Sequence, residues 1–242
     1  MIAIHGAPDP WSPIETEPPI ILAFDTSSTI GGVALCRGFE VLGEETWRVG
    51  GSHTAQVLPA AARLCQRAGI PPRATSIAVT ATGPGSFTGL RVGASLGKGL
   101  AAALGAALVG VPTLDALAHQ HRALTGTLVA LVDAGRGQVY AGTYRAAARG
   151  LTRRGEFVVL SEEELIEHVA ALSGAAWIVG EMWPERAQVL AALPKVRVAT
   201  PAGTLRRPAH LAELGYARFL RDGPSDAAAL QPLYLKRGDS RR

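Results

Sequence analysis

Glycines 89, 93 and 97 stand four apart inside a run that otherwise reads as one long helix, continuing a series that begins at Gly85. A glycine inside a helix costs about 1 kcal/mol relative to alanine, so three in register need a compensating gain. Close approach supplies one: without a side chain, the helix backbone can lie nearly against its neighbour. Positions i, i+4 and i+8 also form one of the ridges along which helices interlock. The row drifts by about 40° per step at 3.6 residues per turn, so three or four positions can meet one partner. The expectation is a tight interface with another molecule, built on Gly85, Gly89, Gly93 and Gly97; the alternative is that the row packs against the chain's own sheet.

The loop that opens this helix, Gly83-Pro84-Gly85-Ser86-Phe87-Thr88-Gly89, follows the apolar run Ser76–Ala81. Glycine-rich turns feeding a helix do bind phosphate, but the details differ here. A phosphate-binding loop needs Gly-x-x-x-x-Gly-Lys-Ser/Thr. The Gly97-Lys98 pair lies inside the helix and is followed by Gly99, and the loose Gly97, Gly99, Ala102 pattern is also mid-helix. Packing is the better account of these glycines.

With 48% hydrophobic and 18% charged residues in a 242-residue chain, the composition is that of a soluble globular protein with one large or two small cores. No apolar run reaches the roughly 18 residues that would span a membrane. Residues 1–19 carry five prolines (Pro8, Pro10, Pro13, Pro18 and Pro19) and read as a disordered arm rather than a signal peptide. Two cysteines, Cys36 and Cys65, make no disulfide framework, which points to a reducing, cytoplasmic setting. The net charge of +4 gathers at Arg153-Arg154, Arg206-Arg207 and a tail with Lys236, Arg237, Arg241 and Arg242. Such short basic clusters are compatible with RNA contact, although solvated surface explains them as well.

Hydrophobic periodicity gives three strands (20–25, 31–36 and 40–47), a helix (53–68), a strand (76–81), the glycine-rich helix, a strand (107–110) and a helix (114–121). The second half repeats this order: strands at 128–133, 138–144 and 151–160, a helix from Ser161, a strand at 176–179, a helix near 185–193, a strand at 196–199 and a helix at 208–220. Asp25 and Asp133 end equivalent strands, 108 positions apart. Glu162, Glu163 and Glu164 follow Ser161, where acidic groups suit a helix start. A duplicated βββαβα unit resembles the architecture of actin, the sugar kinases and the heat-shock chaperone ATPases. The expected organisation is an arm (1–19), an N-terminal subdomain (20–112), a C-terminal subdomain (113–225) and a final segment with a basic tail (226–242).

In that architecture the strand-end aspartate faces nucleotide phosphate and its metal. Asp25-Thr26-Ser27 retains groups able to do so, as a vestigial site, but the same residues also make ordinary turns. The turn that would hold adenosine, Val179-Gly180-Glu181, has a single glycine.

Several stretches together resemble the TsaB family, also called YeaZ. They are Ile21-Leu22-Ala23-Phe24-Asp25-Thr26, His53-Thr54-Ala55-Gln56-Val57-Leu58-Pro59, Gly83–Arg91, Gly110-Val111-Pro112-Thr113-Leu114, Asp133-Ala134 with Val139-Tyr140, and Pro232-Leu233-Tyr234-Leu235. The resemblance implies a non-catalytic subunit that binds and supports TsaD. That transferase moves a threonylcarbamoyl group onto an adenine of tRNA. It further implies a link through TsaD to the ATPase TsaE, indirect contact with tRNA, and a possible homodimer.

TsaD carries a metal on a His-x-x-x-His pair of its first helix. The matching residues here begin at His53 and place Val57 where the second histidine would stand, so that metal site cannot form. His119 and His121 lie two apart on different faces of a helix, and His5, His168 and His210 are isolated in sequence. No catalytic residue and no metal ligand is assigned. No cofactor is expected on this chain, ATP and metal belonging to the partner subunits. The resemblance implies a partner surface that joins an apolar stripe of the first helix, with Leu58, Ala61 and Cys65, to the glycine row; the alternative is that the stripe packs on its own sheet. Pro59 should kink or delay that helix. The competing reading is a free-standing enzyme of the same fold, an ATP-using kinase or a metal-dependent peptidase.

Overall fold

The computed structural model describes residues 2–3, 17–49, 53–147 and 150–235. In chain order the elements begin with β1 (Ile2–Ala3), β2 (Ile20–Asp25), β3 (Ile30–Arg37) and β4 (Glu40–Arg48). Next come α1 (His53–Ala68), β5 (Thr75–Ala81), α2 (Phe87–Leu104), β6 (Ala107–Val111) and α3 (Thr113–Gln120). The second half supplies β7 (Gly126–Gly135), β8 (Gln138–Ala147), β9 (Gly150–Leu160), α4 (Glu162–Ala170), β10 (Ala176–Gly180) and α5 (Pro184–Ala191). It ends with β11 (Val196–Val198), α6 (Pro201–Thr204) and α7 (Pro208–Asp222).

The first sheet runs β4-β3-β2-β5-β6, and the second β9-β8-β7-β10-β11 with β1 added outside β9. Third, second, first, fourth, fifth is the order in both. Three antiparallel strands are followed by two parallel ones in each. The duplicated βββαβα fold expected from the periodicity is present. Its central strands are apolar at almost every position, as sheets covered on both faces require: Ile21, Leu22, Ala23 and Phe24 are all buried. Ser161 starts α4 with a capping box. Its hydroxyl accepts from the Glu164 amide, and the Glu164 carboxylate accepts from the Ser161 amide at 2.8 Å.

In the first sheet, Leu22, Phe24, Val33 and Leu35 pack against Val57, Ala60, Ala61, Leu64 and Cys65 of α1. The helix continues through Pro59. In the second, Val129, Leu131, Val139, Ala141 and Ile178 pack with Leu165 and Val169 of α4 and Leu190 of α5. Among the described residues, no helix is long and apolar enough to cross a membrane.

Two expectations about organisation change. The described residues divide into one unit of 17–116 and 207–233 and another of 2–3, 117–206 and 234–235. The boundary expected after 112 therefore falls within α3, and α7, expected in the second subdomain, belongs to the first. The reason is packing: Leu211, Ala212 and Leu214 are buried, and α7 lies on β2, β3, β5 and β6. A Cβ at Gly215 would stand 2.4 Å from Val79 Cγ1, so glycine alone fits there. The arm expected to be disordered contributes β1 to the second sheet. The rest of it, residues 4–16, and the basic tail from Lys236 lie outside the described residues.

Candidate functional site

The loop after β2 is closed by its own side chains. Asp25 Oδ1 accepts from the Ser27 amide at 3.0 Å and from the Ser27 hydroxyl at 2.6 Å. The Thr26 hydroxyl donates to the Gly89 carbonyl at 2.7 Å, in the first turn of α2. The Ser86 amide donates to the Ser27 carbonyl at 2.7 Å, and Ser86 Oγ caps α2 by accepting from the Gly89 amide. Asp25, Thr26 and Ser27 are all buried. The groups that a phosphate would use are engaged in fixing the loop to the start of α2. Gly85 makes this contact possible, since a Cβ there would lie 2.1 Å from the Ser27 carbonyl oxygen.

The equivalent region of the second unit is also filled. The Glu181 carboxylate accepts from the Asp133 amide at 3.0 Å and pairs with the buried guanidinium of Arg206. Gly180 sits at φ 104° and would place a Cβ 2.1 Å from the Leu131 carbonyl oxygen. The turn expected to be a poor adenosine holder carries a carboxylate–guanidinium pair instead.

The glycine row is where the structure departs most from the sequence expectation. Gly89, Gly93 and Gly97 are buried on the inner side of α2. A Cβ at Gly93 would stand 2.6 Å from Thr26 Oγ1 and 2.8 Å from Thr80 Oγ1, and one at Gly97 2.7 Å from Leu108 Cδ1. The close approach is real, but the neighbour is the chain's own sheet and loop, not the backbone of another molecule. Ala61 and Cys65 likewise turn inward, 6% and 2% exposed, into the core beneath α1. Of the residues expected to face a partner, Leu58 is the one that stands well out, at 50% exposed.

Leu58 shares its surface with residues that the sequence reading missed. Phe87 is 54% exposed, and together with Thr88, Arg91, Val92, Leu96 and Gly99 it lines an open groove of about 590 Å³ beside Leu58. The Arg91 guanidinium lies 3.7 Å over the Phe87 ring, an arrangement in which a cation is drawn to the ring face. At 100° per residue, Thr88, Arg91, Val92 and Gly99 point roughly 100–160° away from Gly93. The signal was present in the sequence: once the glycine stripe is assigned inward, Phe87 and Val92 are the large apolar residues left on the other side. An exposed apolar groove of this kind, rimmed by a charge, suits protein docking.

The family model described as TsaD: tRNA N6-adenosine threonylcarbamoyltransferase matches residues 48–171. The tRNA threonylcarbamoyladenosine biosynthesis protein TsaB of Bacillus subtilis is 38% identical over 125 residues, a match covering 52% of this chain and 55% of that protein. The Escherichia coli protein of the same name is 30% identical over 172 residues, covering 67% of this chain and 71% of its own length. The solved structure of YeaZ from Pseudomonas aeruginosa is 25% identical and superposes with a TM-score of 0.72, covering 90% of this chain and all of that one. With the duplicated fold and these relatives in view, the chain belongs to the TsaB (YeaZ) family.

Proposed function

We propose that this chain is a non-catalytic subunit in the formation of threonylcarbamoyladenosine on tRNA, docking a TsaD-like transferase through the outer face of α1 and α2. The observation that carries this reading is the groove beside Leu58, with Phe87 more than half exposed at its mouth. Burying apolar surface of this kind gains about 25 cal/mol per Å², which gives the groove a reason to be covered. Two further features support it. The groups at Asp25, Thr26 and Ser27 hold α2 in place, and α1 offers Val57 rather than a second histidine beside His53. In this reading ATP and metal act in the partner subunits. A TsaE-like ATPase and the tRNA join through the transferase, and a homodimer of this chain competes for the same groove.

Leu58→Glu tests the docking face, because it places a charge where the partner would exclude water while leaving the core untouched. The expected result is an affinity for the cognate TsaD-like protein at least about tenfold weaker, equivalent to roughly 1.4 kcal/mol, with an unchanged melting temperature. Modified tRNA formed by this chain with the threonylcarbamoyl donor and no transferase would overturn the proposal.

A further inference from the structure

Outside its pairing with β1, strand β9 forms the outer edge of the second sheet. Sheet edges present unpaired N–H and C=O groups on which another chain can assemble, and folded proteins protect them. The far edge, β11, is only three residues long, and a short edge is itself a protection. β9 is much longer, at 11 residues, and its two halves differ.

The second half carries its own safeguard. Pairing with β8 shifts register between Ala141 and Thr143, and Gly155 adopts φ 72°. Arg154, Gly155 and Glu156 are exposed. A bulge bearing charges turns an edge away from further pairing. The first half has no such interruption: Gly150 to Arg153 pair in unbroken register with Ala147 to Tyr144 of β8. It is there that β1 lies, antiparallel, with Ile2 opposite Arg153 and Ala3 opposite Thr152.

We propose that the regular half of β9 is a strand-acceptor surface whose occupant is this chain's own N-terminal segment. Ile2 and Ala3 shield it from pairing with a second copy. Among the described residues two pairs hold the segment, so releasing them breaks few hydrogen bonds. Being part of the same chain raises the segment's effective concentration over that of a second copy.

The test uses the full chain carrying Leu58→Glu, so that association through the α1–α2 groove does not mask association through β9. To this background Ile2→Pro and Ala3→Pro are added, since proline cannot donate to a strand ladder. Hydrogen exchange should quicken by about tenfold in the 150–154 segment, a local opening that leaves β7 protected. At micromolar concentrations, where exposed edges associate, sedimentation should show the proline variant forming oligomers. An excess of a peptide copying residues 1–8 should reverse this. Exchange equal to that of the Leu58→Glu background would overturn the proposal, and so would faster exchange with unchanged sedimentation. Because the comparison is made within one background, its outcome is separate from whether a transferase docks at the groove.

Discussion

At the scale of single residues, the structure assigns opposite duties to positions that look alike in the sequence. Gly93 sits over two hydroxyls, so even a methyl group would collide with Thr26 and Thr80. The Thr80 hydroxyl is already buried with no partner among the described residues, leaving little freedom to yield. Gly93→Leu gains most of about 1 kcal/mol in helix propensity, but overpacking costs roughly 1–3 kcal/mol or more. The melting temperature should therefore fall. A variant that melts like the parent, yet loses its partner, would return the glycine row to an intermolecular role. Cys36 makes a second case. Burial, aided by the negative charges of Glu44 and Glu213, pushes its thiol from the ordinary 9.0 up to about 12. Between those values the folded chain holds a proton that the unfolded chain has released, so stability falls as pH rises through this window and is unaffected by this thiol below it. One such group contributes about 1.4 kcal/mol per pH unit. Urea midpoints at pH 8, 9 and 10 should therefore decline less steeply for Cys36→Ala than for the parent. Parallel declines would show that the thiol is not the group responsible.

At the scale of elements, α2 is a helix with two working sides. Its glycine stripe lets the helix settle onto the sheet, and its opposite stripe is left with Phe87 and Val92 beside Leu58 of α1. The need for close approach at Gly89, Gly93 and Gly97 was legible in the sequence, because the helical cost of glycine demands it. What approaches was not legible, since a bare helix backbone accommodates a sheet as readily as another helix. The same limit explains α7. Leu211 and Leu214 announce a buried stripe, but an apolar stripe does not say which of two similar sheets it covers. β1 escaped notice for a different reason: two residues are too few to show any period. Downstream of α7, the Ser225 amide donates to the Leu108 carbonyl, the Gly110 amide donates to Ser225 Oγ, and the Leu233 amide donates to the Thr82 carbonyl. Leu230 is buried with Ala78, Ala94 and Leu108. This strap covers the β6 edge and reaches the turn that launches α2. Two stretches far apart in sequence, Thr82-Gly83 and Leu233, thus share one neighbourhood, although they stand in separate sequence motifs.

At the scale of the whole molecule, the duplication was the most legible property. Each unit repeats strands of the same kinds in the same order, and the two strand-end aspartates mark equivalent positions. The chemistry of those positions was harder to read, because a strand-end Asp followed by Thr and Ser serves a phosphate or a turn equally well. In the structure Asp25 accepts from Ser27, Thr26 donates to the Gly89 carbonyl, and Glu181 pairs with Arg206 and accepts from the Asp133 amide. At the Asp25 loop a phosphate would compete with these bonds for the Ser27 and Thr26 donors. A ligand present at 100 times its dissociation constant adds about 2.7 kcal/mol of stability, and in a chain of this size each kcal/mol moves the midpoint by about 2–4 °C. Millimolar ATP with magnesium should instead shift the midpoint by less than about 1 °C, far below that response. Asp25→Ala should lower the melting temperature, because two buried donors of Ser27 lose their acceptor and each unsatisfied group costs about 1–3 kcal/mol. The lowering should be the same with and without nucleotide. A shift of several degrees with ATP in the parent, abolished by Asp25→Ala, would make this loop a working phosphate site and reopen the case for an enzyme.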